Sequence, residues 1–318
     1  MRDCLLSIAI CTFNRATFLD GALRSFAATD KLPDLPFELL VIDNNSTDST
    51  RLVVEQWAAR SGFPLRYVFE GKQGLSVARN RAIKEAAGHW IWYVDDDVYF
   101  SPRWLEGALE GMRFFPQSSV LAGRIRLVFE PVKPSWLPLS ALPYYGMTSF
   151  GDELRWLDLT EHPVGANTAF RKSVFSEVGL FREDLGRVAT SLLSTEEAEM
   201  VIRLSKRGYK IGYVPGAEIH HRIPEHRATM GWLRKRAYWG GISSVLAFGA
   251  SRSLSRFGLI CEAARKVKNV GVAAYIKGLG LDDQLRYAWQ LGIARQYLAE
   301  AVRSGGPRTF RSTSWGRI

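Results

Sequence analysis

Residues 90–100 read WIWYVDDDVYF. The run Trp90–Val94 is apolar enough for a buried strand, and it passes directly into Asp95, Asp96 and Asp97. Adjacent carboxylates repel one another, and burying them at a strand end is costly unless something cationic answers them. The stretch therefore predicts a strand inside a sheet whose end meets positive charge. Working backwards, Leu75–Ala87 has helical spacing closed by Gly88, and Leu65–Phe69 reads as a strand. Before them come a helix over Thr47–Arg60, a strand over Phe37–Ile42, a helix over Arg15–Ala28 and a strand over Leu5–Cys11. Strand and helix alternating in this rhythm predict an α/β fold with a mostly parallel, doubly wound sheet. Ligands collect at the carboxyl ends of such strands, where Thr12, Asp43, Glu70 and Asp95–Asp97 fall.

Working forwards, the rhythm changes. Pro102–Phe115 reads as a helix, Val120–Phe129 as a bent strand, and 131–151 as a proline-rich loop with exposed-looking aromatics. A strand over Val164–Phe170, helices over Lys172–Val178 and Glu196–Arg207, and a last strand over Lys210–Val214 lead towards His220-His221. Beyond Thr229 three amphipathic helices are expected, at about 230–249, 252–268 and 282–303. In the second, Leu254, Phe257, Ile260, Ala264 and Val267 share one face. The expected organisation is a body over 1–225, a basic helical region over 226–304 and a disordered tail over 305–318.

Of 318 residues, 47% are hydrophobic and 23% charged, which excludes wholesale disorder. Three cysteines give no disulfide framework and suit a reducing compartment. The N-terminus does not read as a signal peptide, and the longest charge-free run, Ala237–Ser251, is too short and glycine-rich to span a bilayer. From His226 onwards 16 Lys+Arg face 4 Asp+Glu, a net of +12, whereas residues 1–225 carry 26 against 28. That segregation predicts a near-neutral body with a cationic arm for an anionic surface, membrane or nucleic acid. Nucleic acid is disfavoured, because the arm lacks aromatic–basic interleaving and any zinc-finger or helix-turn-helix signature. A dinucleotide dehydrogenase is excluded by the absence of GxGxxG after the first strand.

Alternate residues of a strand share a face, so Asp95 and Asp97 suit oxygen ligation of Mg2+ or Mn2+, which in turn holds a diphosphate. The plainer alternatives are a calcium loop or a solvated acidic turn. Five ordered segments then resemble the inverting family 2 glycosyltransferases with the GT-A fold. They are SIAICTFNRATFLDGALRS, VIDNNSTDST, GLSVARNRAIKEAAGHWIWYVDDD, VGANTAFRKSVFSEVGLF and STEEAEMVIRLSKRGYKIGYVPGAEIHH. The resemblance covers about the first two-thirds of the chain. It implies a nucleotide-sugar donor, a divalent cation and a hydroxyl acceptor on a glycan or lipid-linked carrier. Asp97 becomes the main metal ligand, Asp95 a ribose or metal contact, and Asp96 a support for the loop. Asp43 accepts from the nucleotide base, with Thr12, Asn14 and Arg15 lining the same pocket; an Asx turn is the alternative for Asp43. Arg79 pairs with Asp43, reaches the diphosphate, or lies on a helix surface.

Inversion needs a base opposite the leaving group. The family carries Glu-Asp there; this chain has Glu196-Glu197, with Ser194-Thr195 as expected caps, and Glu197 falls on the base position. The longer side chain shifts its reach, and Glu199 is the nearest rival. Both glutamates also suit a helix N-terminus electrostatically. His220 and His221 stand equally as metal or diphosphate contacts, while HHRIPEH also fits a lid loop; a zinc site with His226 lacks its remaining ligands. Glu196, Asn167, Trp136 and Trp156 are acceptor candidates, with Tyr144 and Tyr145 beside them, though core packing explains the aromatics too. The competing class is a GT-A-like binding protein without transfer activity whose arm holds an anionic partner. The enzyme is the reading taken forward, peripheral at the cytoplasmic face of the membrane.

Overall fold

The computed structural model describes residues 4–30, 35–130, 132–158, 161–188, 191–249, 254–274 and 280–303. The expected disordered tail lies outside the described residues. In chain order the elements are β1 (Leu6–Thr12), α1 (Ala16–Ala27), β2 (Phe37–Asp43), α2 (Thr50–Arg60), β3 (Leu65–Phe69), α3 (Leu75–Glu85) and β4 (Trp90–Asp95). Then follow β5 (Val98–Phe100), α4 (Trp104–Phe114), β6 (Val120–Phe129), a 3-10 helix (Leu139–Tyr145), β7 (Arg155–Trp156), β8 (Asn167–Arg171) and α5 (Val174–Val178). The last are α6 (Glu196–Ser205), β9 (Ile211–Ile223), a 3-10 turn (Glu225–Arg227), α7 (Met230–Phe248), α8 (Arg256–Ala274) and α9 (Leu281–Arg303).

The sheet has the order β3-β2-β1-β4-β8-β6-β9-β5, with β7 on the side of β9. Pairing is parallel through β3-β2-β1-β4 and again between β6 and β9, while β8, β5 and β7 pair antiparallel, so the sheet is mixed. Strand alternation explains the layers. Ile8, Ile10, Leu39, Val41, Trp90 and Trp92 pack with Leu23 and Phe26 of α1, Trp57 of α2 and Trp104 of α4. Their neighbours Ala9, Leu40, Ile42, Ile91 and Tyr93 pack with Ala78 of α3, Phe175 of α5 and Met200 of α6 on the other face. Helices on both faces force the central strands to be apolar throughout, which is what made β1, β2 and β4 readable.

The strand β9 departs most from expectation. It was expected to stop at Val214, before Pro215-Gly216, yet it continues to Ile223 and holds His220 and His221 within the sheet. A register irregularity against β6 between Gly123 and Ile125 absorbs the proline. Gly107 of α4 lies so close that an added Cβ would stand 2.1 Å from the Gly216 carbonyl carbon.

The chain divides into two compact units, Met1–Leu233 and Arg234–Ile318. In the second, Val245, Leu259, Ala263, Ala294, Tyr297 and Ala301 form the core of α7, α8 and α9. An added Cβ on Gly292 would stand 1.9 Å from the Tyr238 carbonyl oxygen, so α7 and α9 meet backbone to backbone. Leu259 and Ala263 are the inward residues of α8, whereas Phe257 (76% exposed), Ile260 (42%) and Val267 (47%) from the expected apolar face are open. No described helix is long and apolar enough to cross a membrane.

Candidate active site

The strand β4 ends at Asp95, so its alternation does not carry on to Asp97. Asp95 is half-buried, whereas Asp96 and Asp97 are buried in the turn to β5. Instead of Asp95 and Asp97 acting as a pair, Arg15 bridges the last two: Nη1 lies 2.7 Å from Asp96 Oδ1 and Nη2 lies 2.6 Å from Asp97 Oδ2. Thr12 Oγ1 donates to Asp96 Oδ2 at 2.7 Å. Burial, opposed by Arg15, pushes Asp96 up to about 6. Burial also works to raise Asp97, but His221, Arg15 and Arg227 outweigh it and hold its carboxyl well below the usual carboxylate range.

Pairing of β5 with β9 sets Val98 opposite His221 and Tyr99 opposite His220. Period-two alternation then separates the two histidines. His221 Nε2 stands 3.3 Å from Asp97 Oδ1, while its Nδ1 lies 2.8 Å from the Tyr145 carbonyl oxygen. His220 instead meets Glu218 at 2.8 Å, on the other face of the strand from Asp97. Arg227 Nη1, from the turn after β9, reaches Asp97 Oδ2 at 3.0 Å. The sequence reading missed Arg227 and the Tyr145 carbonyl. Extending β9 one face at a time through HHRI would have separated the histidines, but nothing local marks Arg227.

Among the described residues no three His, Cys, Asp or Glu side chains cluster as a complete metal cage. The pair Asp97–His221 nevertheless suits a divalent cation. The Tyr145 carbonyl can only accept, so it calls for a proton on Nδ1, and in the neutral ring this leaves the Nε2 lone pair facing Asp97 Oδ1. That oxygen is buried without a hydrogen-bond partner. Asp97 raises the His221 imidazole against the effect of its burial.

Asp43, at the end of β2, accepts from Ser46 N at 2.9 Å and from Tyr67 Oη at 2.8 Å, so its carboxylate closes the turn that follows β2. Asn14, in left-handed conformation at φ 51°, accepts from Thr47 N at 2.7 Å and ties the β1–α1 loop to that turn. Arg79 does not pair with Asp43. Buried on α3, its Nη1 lies 2.7 Å from Glu196 Oε1 and 3.9 Å from Glu197 Oε2. Gly165 N donates to Glu197 Oε1 at 3.4 Å, and the next residue, Ala166, accepts from Asp95 N at 3.4 Å. The loop 164–166 thus joins the glutamates to the aspartates. Gly165 has to be small: a Cβ there would lie 2.3 Å from Arg79 Nη2.

Burial first, and then the charge of Glu197, push Glu196 up to about 7 against the pull of Arg79. Oε2 of each glutamate is buried without a hydrogen-bond partner. Glu199 pairs with Arg203 at 2.9 Å, so it is committed elsewhere. The helix α6 starts without the expected capping bond; Thr195 precedes it at φ 77°, a strained setting for a β-branched residue.

The acceptor candidates separate. Asn167 is saturated in the core, accepting from Trp92 Nε1 at 2.8 Å and donating to the carbonyls of Arg124 and Ala217. Trp156 pairs with Gly212 at the end of β9 away from His221, and packs on Phe115. Trp136 is exposed on the loop before the 3-10 helix. Tyr144 is half-buried, and Tyr145 stacks on Trp232 at 4.9 Å.

This fold and site define a glycosyltransferase of the GT-A fold. Residues 7–179 match the profile of glycosyl transferase family 2, and the chain belongs to that family. It is 28% identical over 241 residues to the succinoglycan biosynthesis protein ExoM of Rhizobium meliloti, covering 74% of this chain and 72% of that protein. It is 23% identical over 244 residues to the glucosyl-dolichyl phosphate glucuronosyltransferase of Haloferax volcanii, covering 75% of each. Among solved structures, the mannosyltransferase PcManGT of Pyrobaculum calidifontis, in complex with GDP-Man and Mn2+, superposes with a TM-score of 0.57 at 18% identity, over 94% of this chain and 86% of that one. TarS 1-349 of S. aureus, in complex with UDP, gives 0.53 at 19% identity over 95% and 92%.

Proposed function

We propose that the chain is an inverting glycosyltransferase. It moves a sugar from a nucleotide-diphosphate donor, a UDP-sugar in the first instance, to a hydroxyl of a glycan or lipid-linked acceptor in surface polysaccharide or glycoconjugate synthesis. The observation that carries this reading is the link from Glu197 through Gly165 and Ala166 to Asp95. It sets a carboxyl pair beside a carboxylate row with cations of its own. Asp43 takes the nucleotide base and Asp95 the ribose. Asp97 and His221 would hold a divalent cation, Mn2+ or Mg2+, which when bound would supply neutralising charge at the leaving diphosphate. Glu197 takes the acceptor proton as the acceptor oxygen bonds to the anomeric carbon and the bond to the diphosphate breaks. Arg79 holds Glu196 and keeps the pair oriented.

The names of the relatives support polysaccharide or lipid-linked substrates, and the complexes of the neighbours support nucleotide donors. The exposed stripe of α8, with Arg256, Arg265 and Lys268 exposed beside it, supports a peripheral position on the cytoplasmic membrane face. E197Q tests the chemistry: it keeps the shape and should bind donor as wild type does while losing transfer by at least ~100-fold. Loss of donor binding, or retained transfer, sends the base role elsewhere.

A further inference from the structure

Asp97 Oδ2 receives two guanidinium groups, Arg15 at 2.6 Å and Arg227 at 3.0 Å. They differ in tenure. Arg15 is bidentate across Asp96 and Asp97 and stacks on Phe18 at 4.5 Å, so it is anchored at three points. The only side-chain bond described for Arg227 is the one to Asp97, and it hangs from a three-residue turn after β9. It is largely buried, and Arg15 and Arg187 both lie near enough to repel it. Arg227 is thus the cation of this row whose one described side-chain partner is an oxygen that Arg15 already holds. Arg79, the arginine that the sequence offered for a diphosphate, is occupied behind Glu196.

We propose that Arg227 is the residue that takes the donor's diphosphate, and that its ion pair with Asp97 is a resting contact which it leaves when the nucleotide binds. The inference rests on the transferase reading. A guanidinium fork meets two phosphate oxygens better than one carboxylate oxygen. Its departure leaves Arg15 as the remaining arginine on Asp97.

The test compares UDP with UMP, and GDP with GMP, on the full chain in EDTA by titration calorimetry. Wild type should bind the diphosphate of its preferred nucleotide roughly 10–100-fold tighter than the monophosphate, the range of charge-assisted bonds to one phosphate. R227Q should bind the two within about threefold of each other while keeping wild-type affinity for the monophosphate, which also shows that the site is intact. R227K keeps the charge and loses the fork, so it should retain part of the ratio; it serves alone if R227Q does not fold. An undiminished ratio in the variant, or equal loss of both nucleotides, overturns the inference. A wild-type chain that binds neither nucleotide overturns the transferase reading and takes this inference with it. With Mn2+ alone, R227Q should bind the ion several-fold tighter than wild type, since one competing cation has left Asp97; unchanged or weaker binding refutes the resting contact.

Discussion

Glu196 and Glu197 share one arginine, so their cluster balances when it holds one proton. In the fold Glu196 keeps that proton up to about pH 7, mainly through burial, whereas an unfolded glutamate releases it near 4.5. Between those values the native chain binds more protons than the unfolded one, so stability falls as pH rises through the window. E196Q has no proton to keep. Its melting temperature should therefore drop less than that of wild type between pH 5 and pH 8, by scanning calorimetry. Parallel drops in the two proteins would mean that the pair does not carry the proton. At this scale the sequence was legible in residue type and in order: Asp43 ends β2, Asp97 lies in the turn after β4, Glu197 in the first turn of α6 and His221 in β9. It was illegible in partnership, because Arg15 across two aspartates and Arg79 on Glu196 are meetings over 82 and 117 residues of chain.

Elements were readable where their pattern was local. The β1–β4 half follows from apolar runs broken by helices, each set by its own residues. Pro215-Gly216 is a fair signal for the end of a strand, and only β6 and Gly107 show why β9 runs on. The three-residue β5 and two-residue β7 are too short for a periodicity to declare itself. Packing between helices was equally hidden, and it yields a contrast to measure. G292A adds a methyl against the Tyr238 carbonyl and should destabilise by about 1–3 kcal/mol, exceeding the roughly 1 kcal/mol that alanine gains over glycine in a helix. G231A, in the first turn of α7 with nothing within 4 Å of its added Cβ, should be neutral or stabilising. Chemical denaturation of both variants decides it; equal midpoints would show that α7 and α9 do not meet as closely as described.

For the whole molecule, the charge lies in the second unit. Arg234–Ile318 carries 15 Lys+Arg against 4 Asp+Glu, and its α8 turns Phe257, Ile260 and Val267 outward. Such a surface suits anionic lipid: each nearby Lys or Arg gains about 1 kcal/mol, and each large apolar side chain that enters adds about 1.5–3 kcal/mol. The protein should sediment with anionic vesicles, weakly with neutral ones, and less in high salt. F257E/V267E should weaken vesicle binding at least ~10-fold with nucleotide affinity unchanged. If it instead converts a dimer to a monomer in light scattering, the stripe is covered by a second copy and the lipid reading fails.

The ion pair of Asp97 with Arg227 spans 130 residues, and this has a meaning for how the protein is made. At about 5–20 residues per second, a ribosome needs roughly 7–26 s to go from one to the other. Through that interval β1 to β4 can already have assembled, with Arg15 alone to offset three adjacent negative charges. The strand that completes the sheet and the arginine that completes the neutralisation emerge within a few residues of each other. Until then the carboxylate row has one arginine to offset it, so closure of the sheet and charging of the site become a single late event.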